Sequence, residues 1–266
     1  MSYQPVVPFG GYAGWVVLQR TKDNQQEAFN QSAEMQRETD YFRENISKIT
    51  TAEDLVSDYR MLKVALGAFG LDDDINNKFF IEKVLDEGTL NSDALANKLS
   101  DKRYFKLAEA FGFGNFSVPS TVISDFPDKI ISAYQEKQFQ VAVGEQNEDM
   151  RLALNLDEEL TSLVNKDTSD NGRWYSVMGN PALRTVFETA LGLPSSFGTL
   201  DLDQQLSMFR DKADQYLGDS EISQFSDPEK QDKLVKLFLI RSELANGTTN
   251  SYSAASNALT LLSGAG

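Results

Sequence analysis

The stretch TTAEDLVSDYRMLKVALGAFGL, residues 50–71, decides the fold class. Thr50 and Glu53 have capping-box spacing, in which a hydroxyl and a carboxylate satisfy the free amides of a helix start. Leu55, Tyr59, Leu62, Leu66 and Phe69 follow at four- and three-residue intervals, one apolar stripe facing a core. Gly70 then stops the helix, because glycine enters the left-handed region cheaply, and Leu71 closes over the last turn.

The same stop returns at Ala110-Phe111-Gly112-Phe113 and Ala190-Leu191-Gly192-Leu193, and in weaker form at Tyr216-Leu217-Gly218. Between the stops lie further helix signals. Asp72 to Leu85 carries Ile75, Phe79 and Val84; Ser92 caps a short helix with Leu95 and Leu99; Asp101 opens another with Tyr104, Leu107 and Phe111. Asn115 to Ile123, with Pro119 and β-favouring residues, reads as a connector. Asp125-Phe126-Pro127 starts a long run through Ile130, Tyr134, Val141, Met150, Leu154 and Leu163, bent near Gly144 or Asn155. Helices around Leu183 to Leu191, Leu202 to Ala213 and Leu234 to Leu244 complete the core. No segment alternates with period two. The expected class is all-α, a multi-helix bundle-like domain with two helix-pair lobes and extended ends.

These signals divide the chain into an N-terminal strap and polar helix over 1–49, a core over 50–246 with lobes 50–118 and 119–246, and a Ser/Ala-rich tail over 247–266. In the first part Pro5 to Trp15 mixes proline, glycine and aromatics, which disfavours regular structure. Asp23 to Asn45 reads as a polar helix with only Phe29, Ala33, Tyr41 and Ile46 as its stripe. The apolar residues of the ends, Trp15, Val16, Val17 and Leu18, and Leu259, Leu261 and Leu262, are candidates for binding a protein partner; Pro5 to Trp15 reads as a strap across the chain's own core or, in the sharper reading, as a docking segment that orders on contact with another subunit. Residues 1–45 and 247–266 are expected to be open to protease in the free chain.

Composition removes several chemistries. The 266 residues carry 25 basic and 40 acidic side chains, a net charge of −15, with no cysteine and no histidine. Thiolate nucleophiles, disulfides, Cys- or His-ligated metals and Ser-His-Asp catalysis all fall away. A chain this acidic repels phosphate backbones, so no nucleic-acid partner is expected. Val16-Val17-Leu18 is too short to span a bilayer, and no basic residue precedes it as in a secretory signal. The expected location is cytoplasmic, or exported without a cleaved signal.

Asp72-x-Asp74-x-Asn76 imitates the start of a calcium loop, but Asn77 and Lys83 occupy the places of the required glycine and closing carboxylate. Asp167-x-Ser169-x-Asn171-Gly172 fails likewise at Met178. No phosphate-binding glycine motif is present. Acidic pairs such as Glu158-Glu159 and Glu148-Asp149 leave carboxylate-based glycoside cleavage as the one enzymatic alternative. Trp174 to Arg184 reads either as a ligand pocket using Trp174 and Arg184 or as a helix–turn–helix corner turning at Gly179 and Asn180. No catalytic residue, cofactor or metal is assigned.

Tyr41 to Ile46, Asp58 to Leu66 running into Phe69-Gly70-Leu71, Leu99 to Tyr104, Trp174-Tyr175 through Pro181-x-Leu183-Arg184, and Gly192-Leu193-Pro194 resemble one alphaproteobacterial family, domain of unknown function twelve-seventeen, found among flagellar genes. The resemblance spans about residues 10–246 and implies a flagellar association. It carries no catalytic residues over. The expected function is a non-enzymatic structural or interaction protein of the flagellum, an export substrate or assembly factor. A peptidoglycan hydrolase and a cytoplasmic chaperone of a flagellar subunit are the alternatives. Asp101-Lys102-Arg103-Tyr104 is either a binding patch or an ordinary helix start.

Overall fold

The computed structural model describes residues 3–246. Among them the chain is all-α, without strands. Its helices are α1 (Gly11–Asn30), α2 (Ala33–Asn45), α3 (Ala52–Ser57), α4 (Tyr59–Ala68), α5 (Lys78–Glu87), α6 (Leu95–Lys98) and α7 (Arg103–Phe111). They continue as α8 (Phe126–Gly144), α9 (Glu148–Val164), α10 (Asp170–Gly179), α11 (Pro181–Leu191), α12 (Leu202–Leu217) and α13 (Pro228–Asn246).

The chain forms two compact units, one of Met1–Pro5 with Lys22–Ala142, the other of Val6–Thr21 with Val143–Gly266. This division differs from lobes meeting at 118/119. The connector after α7 belongs wholly to the first unit, because Thr121 donates its hydroxyl to the Ile49 carbonyl at 2.6 Å and Asn115 bonds to Thr89. The break in the long run falls at Gly144, where α8 ends; Asn147 then caps α9 by accepting from the Met150 amide.

In the first unit the glycine stop behaves as read. Gly70 takes φ +66°, and the Leu71 amide returns to the Leu66 carbonyl at 3.0 Å, with Leu71 buried. Gly192 closes α11 in the same way, the Leu193 amide returning to the Glu188 carbonyl at 2.9 Å, whereas Gly112 and Gly218 close α7 and α12 by donating their own amides to the Ala108 and Asp214 carbonyls. The capping box, however, is Thr51 with Asp54, one residue on from Thr50 and Glu53. Asp58 then accepts from the Arg60 and Met61 amides and breaks the stripe into α3 and α4. That break leaves Tyr59 exposed while Leu55, Leu62 and Leu66 are buried. A 3-10 turn over Asp72–Asn76 delays α5 to Lys78. The buried face becomes Ile81, Val84 and Leu85, so Phe79, about 200° around the helix from Ile81, is 81% exposed rather than core. Ser92 does not cap α6; Glu87 reaches across and accepts from the Leu95 amide at 2.6 Å.

The N-terminal part is more ordered than its sparse stripe implies. The inward face of α2 is Met35, Thr39 and Phe42, followed by Ile46; Ala33 is exposed and Tyr41 half-buried. Thr39 can join that face because its hydroxyl donates to the Met35 carbonyl at 2.9 Å, leaving a methyl for packing. Phe29 meets Phe139 edge to face at 5.8 Å. Trypsin is therefore expected to spare Arg37 and Arg43 in the native chain, since cleavage there requires opening a helix with a buried face. Cutting at Arg37 as fast as in the unfolded chain would overturn this. The tail 247–266 lies outside the described residues.

In the second unit α11 packs against α13, and an aromatic cluster joins α10, α11 and α12. Trp174 stacks on Phe209 at 5.4 Å and meets Phe187 edge to face at 5.5 Å; Phe197 and Phe225 extend the cluster. All five rings are fully or almost fully buried.

Candidate functional site

Most residues singled out by sequence serve the fold. On α1, Trp15 and Leu18 are buried within the second unit, and Val16 and Val17 are half-buried. This part of α1 thus packs on the chain's own core. Leu259, Leu261 and Leu262 lie outside the described residues. Trp174 donates its indole N–H to the Ser220 carbonyl at 3.0 Å. Arg184 pairs with Glu188 at 2.6 Å and donates to Gln205 at 2.9 Å. Both groups are engaged within the second unit, and the segment forms the α10–α11 corner, with Asn180 capping α11.

Several carboxylates are committed in the same way. Asp72 accepts from Gln138 at 2.7 Å and Asp74 from the Tyr104 hydroxyl at 2.5 Å. In the second unit Asp170 accepts from the Ile222 amide, Asp149 from the Ser242 hydroxyl and Glu159 from Asn180. Among the described residues no group of three acidic side chains is placed to hold a metal ion.

Asp101-Lys102-Arg103-Tyr104 is an internal brace of the first unit. Arg103 forks onto Asp101 and also donates to the Gly70 carbonyl, joining the start of α7 to the end of α4. Partial burial works to raise the Asp101 carboxyl, but hydrogen bonds and charge from Arg103 hold it below the usual range. Burial and the Asp74 carboxylate push the Tyr104 phenol up to about 12. The folded chain then holds this proton more tightly than the unfolded chain, whose phenol titrates near 10. The contribution is present below pH 10 and lost as pH rises through 12. Tyr104→Phe should cost about 1 kcal/mol at neutral pH, a moderate value because the pair is part-exposed. The gap to wild type should narrow between pH 10 and 12 in urea unfolding. A gap that stays constant to pH 12 would contradict the assignment.

One surface of the first unit serves no such internal purpose. From Ala110 to Ser124 the chain carries no charged residue, although about a quarter of all residues are charged. Within this stretch Phe116, Val118, Val122 and Ile123 are exposed, joined by Leu90 from the turn after α5; their exposures run from 44% to 72%. Asn115 ties the two segments together, accepting from the Thr89 amide at 2.7 Å and the Leu90 amide at 3.3 Å. Gly114 donates to the Leu85 carbonyl at 3.1 Å, an approach possible only for glycine since a Cβ would stand 2.2 Å from the Asp86 carbonyl oxygen. Thr121 anchors the far end at Ile49. The apolar side chains are therefore displayed on a backbone fixed at three points. Sequence reading took this stretch for a connector and missed the surface; its lack of charge was the available signal.

Residues 68–231 match the family described as "Protein of unknown function (DUF1217)". The chain belongs to the DUF1217 family. The matched residues of this DUF1217 chain include the exposed loop, the Arg103 brace and the aromatic cluster around Trp174. The fold is similar to the crystal structure of a protein from Agrobacterium tumefaciens, with a TM-score of 0.73 and 27% identity, covering 92% of this chain and 100% of that one. No curated protein matches. Among the described residues no helix is long and apolar enough to cross a membrane.

Proposed function

We propose that this DUF1217 protein is a non-enzymatic structural or interaction protein of the bacterial flagellum, acting as an export substrate or assembly factor. The observation that carries the interaction role is the apolar surface of Leu90, Phe116, Val118, Val122 and Ile123. Water-exposed apolar side chains grouped on one fixed backbone mark a place where another protein docks. The flagellar assignment rests on the sequence resemblance to the flagellar-locus family.

Cell fractionation tests the reading. The protein should be recovered with hook–basal bodies or in the medium of flagellated cells, and Phe116→Glu or Val118→Glu should deplete that fraction at least several-fold. Recovery only from the cytoplasm, with swimming unaffected by deletion, would overturn it. Clearing of purified peptidoglycan would point to the hydrolase instead.

A further inference from the structure

We propose that residues 88–102 form a strap that opens as one piece while the rest of the first unit stays folded, hinging at Gly88 and latched by Asn115. Opening uncovers a small apolar cluster shared by α5 and α7. The proposal goes beyond the docking reading and does not depend on it. The first argument is burial. The strap contains one short helix, α6, and buries no large side chain completely; Ala94 and Ala96 are buried, while Leu95 and Leu99 are partly so. Ala96 packs with Val84 of α5 and Ala108 of α7, and Phe80, Leu95, Leu99, Tyr104 and Phe105 surround these three. An alanine brings little apolar area, so the strap is held weakly. By contrast α5 and α7 bury Ile81, Leu85, Leu107 and Phe111, which keep both helices in place when the strap leaves.

The second argument is the pattern of polar bonds. Inside the strap, Asn97 donates its side-chain amide to the Thr89 and Asn91 carbonyls, each at 2.8 Å, and Lys102 donates to the Asn97 carbonyl at 3.0 Å. These bonds make it a single piece. Two side chains tie it to the rest of the unit. Glu87 accepts from the Leu95 amide at 2.6 Å; Asn115 accepts from the Thr89 and Leu90 amides and donates to the Thr89 hydroxyl at 2.9 Å. Bonds at the surface exchange for water with little net loss, so these ties hold the strap closed without locking it. Gly88 supplies the joint. Its backbone, φ +64° and ψ −149°, lies in a region essentially restricted to glycine, where the chain turns off the end of α5. Because the latch, Asn115, belongs to the uncharged loop, whatever displaces that loop also frees the strap, and the coupling runs equally in reverse.

Native-state hydrogen exchange of the full chain reads the opening. The Leu95, Asn97 and Leu99 amides should exchange together, ~100-fold or more faster than those of Ala108 and Phe111. Asn115→Ala should speed the strap amides by a further ~10-fold and leave Ala108 and Phe111 unchanged, whereas Asn115→Asp, which keeps the acceptor, should restore the wild-type rate. Trypsin gives a second reading that needs no substitution. It should cut the native chain at Lys98 before Lys83 or Lys106, since cleavage requires the chain to open at the site. Strap amides that exchange no faster than Ala108 would overturn the proposal, as would first cleavage at Lys83 or Lys106. An Asn115→Ala chain in which the strap amides are not accelerated, or in which all amides are accelerated alike, would refute the latch. Should that variant fail to fold, wild-type exchange and trypsin cleavage still decide whether the strap opens.

Discussion

Trp174→Ala is expected to destabilise the second unit by about 3–5 kcal/mol, the range for removing a large aromatic from a closed core. The indole is fully buried, stacked on Phe209 and edge-on to Phe187. Its removal deletes both ring contacts, leaves a cavity bounded by side chains held in other aromatic pairs, and strips the Ser220 carbonyl of its donor. Each loss adds to the next, because Phe209 also packs against Phe197 at 4.8 Å and cannot collapse into the void without leaving that ring. Trp174→Phe keeps much of the packing and loses the N–H, so it should cost about 1–3 kcal/mol, the penalty of an unpaired buried carbonyl. Thermal unfolding followed by circular dichroism should show the order wild type, Trp174→Phe, Trp174→Ala, with the alanine midpoint lower by roughly 10 °C. A loss below about 1 kcal/mol for alanine would mean that the cluster is not the core of its unit.

The two substitutions also separate a corner from a pocket. A stacking site for a ligand keeps its aromatic face open to solvent, and in that case truncation is nearly neutral for stability. Here the ring is closed over, and Arg184, the other residue of the pocket reading, is matched by Glu188 and Gln205.

Features set by a few neighbouring residues were legible in the sequence. Gly70, Gly112, Gly192 and Gly218 stop helices because a left-handed backbone is a local requirement, met or not by the residue itself. The Pro181 helix start was legible for the same reason. Phase was not. The 3-10 turn at Asp72–Asn76 and the cap at Asp58 each reset the angle at which the next helix meets its core, exposing Phe79 and Tyr59. The start of α1 was hidden differently. Gly11 and Gly14 disfavour a helix on propensity, but burial of Trp15 and Leu18 on one face, three residues apart, outweighs that cost. The apolar surface was not legible because valine, isoleucine and phenylalanine normally argue for burial, and the bonds of Asn115 and Thr121 that hold this backbone reach partners 26 and 72 residues away in the chain.

Gly67 gives the second large effect, and here sequence and structure predict opposite signs. It lies within α4, where replacing glycine by alanine ordinarily stabilises a helix by about 1 kcal/mol. A Cβ at this position would stand 2.6 and 2.7 Å from ring carbons of Tyr134 and 3.0 Å from the Gln138 amide nitrogen. Gln138 is the end of a long side chain and can yield, although it would loosen its bond to Asp72. The Tyr134 ring is 3% exposed and has no comparable freedom. Overpacking a core in this way costs about 1–3 kcal/mol, so Gly67→Ala should be destabilising once its helix gain is subtracted. Combining it with Tyr134→Leu supplies the decisive comparison. Tyr134→Leu alone leaves space beside α4, and the added methyl group then occupies part of that space. The pair should be more stable than the sum of the single losses by roughly 0.5–3 kcal/mol, the coupling expected of side chains in contact. Additive losses would mean that the ring and the helix backbone do not meet. If Gly67→Ala were itself stabilising, α4 would be exchanging a close approach for helix propensity, and glycine would not be required there by packing.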